Sequence, residues 1–224
     1  MPIIDTEETT RALRAFQFAW LASIEDYQNR KVNSEHTLQS ALYHHLRSSL
    51  SDNYNVYTEA VIRLSQRTAD ESARRKVVVD LLVCKEKEII VAVELKYTPR
   101  GLPTLASLRK DVRSLSCISN RRESADRVSI EMPRFREADS DSYPISISTH
   151  RKLIVAAFFD GREDCALSDD KFWPAVRPEG GEYWSDFGQR PKNLGVALAQ
   201  TDDNGKATAH YFGGPFDRMA ASDA

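Results

Sequence analysis

Two nearly apolar segments in close succession decide the fold of this chain: Val77-Val78-Val79-Asp80-Leu81-Leu82-Val83 and Ile89-Ile90-Val91-Ala92-Val93-Glu94-Leu95-Lys96. Runs this apolar, and this rich in β-branched residues, are typical of central strands that are covered on both faces. The charged link at residues 85–88 predicts a tight turn that joins them as a hairpin. The sequence therefore predicts two neighbouring antiparallel strands in the middle of a sheet.

Three charges interrupt these strands: Asp80, Glu94 and Lys96. Charged side chains are seldom buried without partners. Side chains two residues apart share one face of a strand, so Glu94 and Lys96 point the same way. If the hairpin turns about Lys87, Asp80 lies opposite Glu94, with their Cβ atoms ~4.5–5.5 Å apart.

Two ionised carboxylates at that separation repel each other by about 4 kcal/mol at an effective dielectric constant near 20. A divalent cation would turn the repulsion into attraction, and ligands with oxygen atoms alone suit Mg²⁺ or Mn²⁺. The alternative is structural: Lys96 neutralises Glu94, and Asp80 ends a strand or pairs with Arg74 or Arg75. The two strands by themselves leave both interpretations open.

The surrounding sequence predicts an α/β domain. Apolar residues at helical spacing predict helices over 6–28, 34–50 and 104–118. Further strands are predicted over 54–64 and 152–160, a polar and irregular segment over 119–150, and a hairpin over 194–200 and 206–212 around a turn at 202–205.

The second of these helices begins with an acid, Glu35, which lies near the apolar face of the helix. A first-turn acid is favoured by the helix dipole in any case. Gln39 follows four residues later on roughly the same face and could hydrogen-bond next to it.

This order of elements, with Asp80 in one strand and Glu94-Leu95-Lys96 in the next, resembles the restriction-endonuclease-like nuclease superfamily, whose signature is written PD-(D/E)XK. Val79 stands where the signature has its proline. The resemblance implies an αβββαβ core with a mixed central sheet over residues 33–160. A helix at 1–30 would precede this core and a β-hairpin extension at 161–224 would follow it, all in one domain.

The resemblance also implies roles for the residues that match. Asp80 and Glu94 would bind Mg²⁺, for which Mn²⁺ could substitute, and Glu35 would complete the site directly or through water. Lys96 would orient or deprotonate the attacking water. Glu59 is a secondary candidate ligand, and the favoured alternative for it is a pairing with a surface arginine. The implied activity is Mg²⁺-dependent endonucleolytic hydrolysis of DNA phosphodiester bonds; the alternative is an inactive module of the same fold that binds nucleic acid or a protein.

A nuclease needs positive charge near its site. Arg74, Arg75 and Lys76 lead into the Asp80 strand, and Arg109 and Arg113 lie on the helix at 104–118, away from its leucines. We expect these cations to contact DNA phosphates, although a solvated surface explains such charges equally well. A homodimer is compatible with cutting two strands.

The overall composition excludes other classes of protein. Lys and Arg number 31 against 33 Asp and Glu, a net charge of −2, which argues against binding nucleic acid by bulk charge. No apolar run approaches the ~20 residues of a membrane helix, and the acidic start is unlike a signal peptide. Three widely spaced cysteines argue against a zinc site and favour a reducing, cytoplasmic location.

Overall fold

A computed structural model describes residues 6–65, 75–101, 103–119, 127–131, 142–160, 193–202, 204–213 and 215–216. It is a mixed α/β structure with three helices and seven strands in the described part. The helices are α1 (Thr6–Gln28), α2 (Glu35–Ser49) and α3 (Leu105–Ser119). The strands are β1 (Tyr54–Ser65), β2 (Arg75–Lys85), β3 (Glu88–Thr98), β4 (Arg127–Glu131), β5 (Ser142–Asp160), β6 (Leu194–Thr201) and β7 (Ala207–Phe212).

The central sheet separates two hydrophobic cores. On one face, α1 and α2 pack their leucines and aromatic residues against β3, β5 and β6. On the other face, the buried side chains of α3 pack against the same strands and against β1 and β2; they are Leu108, Val112, Leu115 and Ile118. Strand β3 runs antiparallel to β2 and parallel to β5, so the sheet is mixed, as expected.

The β2–β3 hairpin has the predicted register in its middle. Leu81 lies opposite Val93 and Val83 opposite Val91, as a turn about Lys87 requires, and a bulge after Val83 shifts the tip. The paired residues end at Leu81 and Val93, whereas β3 continues beside β5 as far as Thr98. The last residues of β3 therefore pair with β5 on one side. On the other side, their backbone groups need hydrogen-bond partners other than β2.

Strands β1 and β2 change faces where β2 leaves β3. In the half of the β1–β2 pair that lies beside β3, called the inner half, one set of alternate residues packs with α1 and α2. In the half beyond β3, called the outer half, the residues that continue this alternation pack with α3. The inner set is Tyr54, Val56, Leu81 and Val83, and the outer set is Ala60, Ile62, Leu64, Val77 and Val79. The change falls at Glu59, whose φ of 49° is left-handed, and at Asp80; the residue pairs on either side of these two are regular.

The expectation of an irregular segment over 119–150 is wrong for its described part. Strand β4 occupies 127–131, and β5 begins at Ser142, ten residues before the predicted strand. Because β4 pairs with both β1 and β5, the pairings run in a closed ring through β1, β2, β3, β5 and β4. Ile130 of β4 and Ile145 of β5 are buried in the same hydrophobic core as α3, although both strands look polar in sequence.

The remaining elements agree with the sequence. Helix α2 begins at a capping box, in which the Ser34 hydroxyl accepts from the Thr37 amide and the Thr37 hydroxyl accepts from the Ser34 amide. The terminal hairpin is antiparallel and turns through Gly205 at a φ of 75°. Cys84 is buried with a free thiol, and burial raises the pKa of that thiol. No described helix has the length and apolarity needed to cross a membrane.

Candidate functional site

The candidate site lies where β2 separates from β3. The Asp80 and Glu94 carboxyl groups lie close enough for each to shift the pKa of the other, so the predicted pair of acids does meet. Glu94 is only 6% exposed, although it is an acid in a strand of aliphatic residues. Asp80 is half-buried. These two residues lie one position beyond the last β2–β3 pair, Leu81–Val93, and the alternation of side chains along the strands predicts that their carboxyls meet.

The proximity and burial of the two carboxyls change their protonation. Burial raises the pKa of Glu94 to about 9, and the neighbouring charges of Asp80 and Asp111 act in the same direction. Burial also raises the pKa of Asp80, although the hydrogen bond from the Leu95 amide opposes the change. The raised pKa of Glu94 favours its protonated form at neutral pH in the metal-free protein, as expected where two neighbouring acids cannot both ionise.

Lys96 joins the site through a different partner from the one expected. Its Nζ lies 3.2 Å from Oδ2 of Asp111 on α3, and it donates to the Leu95 carbonyl oxygen at 2.9 Å. Burial alone would lower the pKa of Lys96, but the negative charges of Asp111 and Glu35 outweigh burial and raise it. The structural alternative of a Lys96–Glu94 ion pair is thus replaced by a Lys96–Asp111 pair.

Glu35 reaches the site from the first turn of α2. Its Oε2 accepts a hydrogen bond from the Tyr97 amide at 3.1 Å. Its charge raises the pKa of both Asp80 and Lys96, so it lies within electrostatic reach of both groups. The structure therefore brings the helix acid to the same end of the hairpin.

These side chains also satisfy the backbone of β3 beyond its last pairing with β2. Asp80 Oδ2 accepts from the Leu95 amide at 2.5 Å, and Lys96 donates to the Leu95 carbonyl. Glu35 accepts from the Tyr97 amide. A carboxylate has two oxygens with several acceptor sites, so these contacts use only part of the capacity of Asp80 and Glu35.

The Gln39 side chain hydrogen-bonds to both β1 and β2 at the point where these strands change faces. Its Nε2 donates to the Asp80 carbonyl oxygen at 2.8 Å and to Glu59 Oε1 at 2.9 Å. The amide thus bridges the two residues at which the regular β1–β2 pairing is interrupted. Glu59 is exposed, and the Gln39 side-chain amide links its carboxylate to the Asp80 carbonyl oxygen.

Asp111 is the residue that the sequence interpretation missed. It is only 3% exposed, three residues after Leu108 and four before Leu115, on the buried face of α3. Burial raises its pKa to about 6, although Lys96 opposes the change. The sequence does contain a signal for it, because an acid at that spacing falls on the apolar stripe of the helix.

The predicted DNA-contacting cations are spread over two elements. Lys76 is exposed on the outer half of β2. Arg109 and Arg113 lie two residues before and after Asp111, which puts them on the opposite side of α3 from the site. Arg74 lies outside the described residues, as does the side chain of Arg75.

The described acids do not form a ready-made metal cage. Within the described ranges, no three His, Cys, Asp or Glu side chains converge tightly enough to hold a metal ion by themselves. What converges is one carboxyl pair, with an ammonium group and a further acid beside it. No protein-family model, curated protein or solved structure matches this chain.

Proposed function

We propose that this protein is a metal-dependent nuclease that hydrolyses DNA phosphodiester bonds, built on a restriction-endonuclease-like core. The observation that carries the proposal is the close Asp80–Glu94 pair, in which Glu94 is buried and Asp80 half-buried, with Lys96 on the next residue of the same strand face. A purely structural site would gain little from burying two acids together, because their charges repel. Such pairs are typical of sites that exchange a shared proton for a cation.

The residues fit Mg²⁺. This ion is bound by one or two carboxylates plus water and substrate phosphate, and not by a cage of protein ligands. Asp80 and Glu94 would hold the ion, and Glu35 would contact it directly or through water. When bound, the ion supplies Lewis acidity and lowers the pKa of a coordinated water.

Lys96 has the protonation state of a charge-stabilising group. Asp111 and Glu35 raise the pKa of Lys96, which favours its ammonium form in the metal-free protein. Its role is to orient the attacking water and to stabilise negative charge that develops on the phosphate. Glu35 contributes the opposite charge and keeps the Tyr97 end of β3 in place.

The outer halves of β1 and β2 offer a surface for the substrate. Lys76 lies directly opposite Arg63 across the strands, and the exposed Val78 lies opposite Val61. Arg63 and Lys76 are cations, the type of side chain that contacts a DNA phosphate. These strands run directly to Glu59 and Asp80, so DNA held there would extend into the site. Two such sites in a homodimer would reach both strands of a duplex.

The test is cleavage of plasmid and oligonucleotide DNA with Mg²⁺ or Mn²⁺. We expect activity in the wild type, and a loss of about a hundredfold or more in Lys96→Ala. Asp80→Asn should abolish Mn²⁺ binding measured by calorimetry. Glu25→Gln, which changes an exposed acid on α1, serves as the control and should behave like the wild type.

Two outcomes would contradict the proposal. The first is a folded wild type that binds no Mn²⁺ at millimolar concentration. The second is metal-dependent cleavage that survives in Lys96→Ala, which would trace the activity to a contaminant or to another site. Binding of DNA with neither metal binding nor cleavage would instead support the inactive binding module.

A further inference from the structure

We propose that Asp111 is a positioning residue that holds the Lys96 ammonium in the orientation that the reaction needs. This inference rests on the proposed function, because it assigns the part of the site contributed by α3. The motif that suggested the site lies entirely on β2 and β3, and nothing in that motif requires an acid from α3.

The geometry of Lys96 leaves it one free direction. An ammonium group has three N–H donors and no acceptor. Nζ donates to the Leu95 carbonyl oxygen at 2.9 Å, and Asp111 Oδ2 lies 3.2 Å from Nζ as an ion pair without hydrogen-bond geometry. With these two groups in place, an N–H donor remains for a water or a phosphate oxygen beside the Asp80–Glu94 pair.

Asp111 is buried, so solvent does not stabilise the negative charge of its carboxylate. Its side chain is 4% exposed, whereas that of Lys96 is 20% exposed, so the acid lies deeper than the base. The buried residues that flank it on α3, Leu108, Val112 and Leu115, are aliphatic. A buried carboxylate is costly unless it is paired, and the ion pair of the described structure that includes Asp111 is the one with Lys96.

The ion pair also connects the site to the fold. Helix α3 packs against β2, β3 and β5, so its position is set by the hydrophobic core on that face. A long lysine side chain on a strand has many rotamers, and a fixed acceptor at its tip selects one of them. Positioning through a rigid helix is therefore a more exact device than positioning through solvent.

Metal ligation is the competing role for Asp111, because its charge also acts on Glu94. The two roles predict different measurements. A positioning residue should change turnover and leave Mn²⁺ affinity unchanged. A ligand should change Mn²⁺ affinity first.

The first experiment compares Asp111→Asn, Lys96→Gln and the double variant. We expect Asp111→Asn to lower kcat about ten- to hundredfold, with KM and Mn²⁺ affinity as in the wild type. The double variant should be no slower than Lys96→Gln alone, because Asp111 acts through Lys96. Asp52→Asn makes the same chemical change at an exposed residue and should have no effect.

Independent losses in the double variant, or a fall in Mn²⁺ affinity in Asp111→Asn, would overturn the inference. A wild type without metal-dependent cleavage would instead overturn the proposed function and leave the ion pair to be tested by the next measurement.

The second experiment needs neither metal nor substrate. Side-chain ¹⁵N spectra of lysine-labelled wild type should show the Lys96 ammonium as a slowly exchanging signal, assigned by its loss in Lys96→Arg. The exposed Lys206 supplies the internal reference for a freely solvated amine. A Lys96 ammonium that exchanges as fast as that of Lys206 would show that Asp111 does not hold it.

Discussion

Glu94 makes the stability of the metal-free protein depend on pH. Its pKa is about 9 in the folded chain against an ordinary value of 4.5. Between these values the folded state keeps a proton that the unfolded state has lost, so the free energy of unfolding falls as pH rises, by up to about 1.4 kcal/mol per pH unit. Urea unfolding at pH 5, 7 and 9 measures this slope.

The matched variant for that measurement is Glu94→Gln, which keeps the shape of the side chain without its titration. Its free energy of unfolding should vary less with pH between 7 and 9, where Asp111, with a pKa of about 6, no longer changes its charge. The same slope in the variant and in the wild type would show that another group causes the pH dependence.

Some contacts of the site follow from local sequence and some do not. The meeting of Asp80 with Glu94, and the shared face of Glu94 and Lys96, follow from strand alternation and one hairpin turn. The Lys96–Asp111 pair depends on how α3 packs across the sheet, and no local rule determines that distance. The Tyr97 contact of Glu35 likewise depends on the position of α2, since sequence shows only that Glu35 begins the helix.

At the scale of single elements, the β2–β3 turn contains a strained residue. Glu86 is exposed and has a φ of 53°, which costs a residue with a Cβ about 1–2 kcal/mol. We expect Glu86→Gly to raise the free energy of unfolding by up to about 1 kcal/mol, after allowing for the added freedom of glycine in the unfolded chain. Chemical denaturation measures it. Lys87→Gly, at the next residue, should destabilise the protein.

The start of α2 is stabilised by its capping box. Ser34→Ala removes the acceptor of the Thr37 amide and should cost about 1 kcal/mol. Ser48→Ala is the control, because the Ser48 hydroxyl only donates to a carbonyl within the same helix. Equal thermal stability of the two variants would show that the cap contributes nothing measurable.

The elements that sequence predicts least well are those with the weakest apolar pattern. Helices α1 and α2 and strands β2 and β3 have long periodic or continuous apolar runs, and their observed bounds lie within two or three residues of the predicted ones. Strand β4 has five residues, and the first half of β5 alternates isoleucine with serine. Their burial comes from the ring over α3, which is a tertiary arrangement that no window of sequence contains.

At the scale of the whole molecule, the chain's two ends share one core. Phe216 is buried against Phe16 of α1, with ring centres 6.5 Å apart, and against Tyr211. Gly195 makes room for it, since a Cβ there would lie 2.9 Å from the Phe216 ring. The C-terminal hairpin is therefore part of the domain's core.

Phe216→Ala should lower the free energy of unfolding by about 3–5 kcal/mol, the usual cost of removing a buried phenyl ring. Phe18→Ala removes the same group from a residue of α1 that is 62% exposed, and it should have little effect. Denaturant titration of both variants measures the difference. Similar midpoints would contradict a shared core.

The side chains that cap the free side of β3 turn two amide protons into reporters of the site. The Leu95 amide is bonded to Asp80 and the Tyr97 amide to Glu35, so their exchange with deuterium depends on carboxylates and not on a neighbouring strand. A ligand that draws Glu35 away would speed exchange at Tyr97 alone. One that also engages Asp80 would speed exchange at both, which makes occupancy of the site readable amide by amide before any reaction is observed.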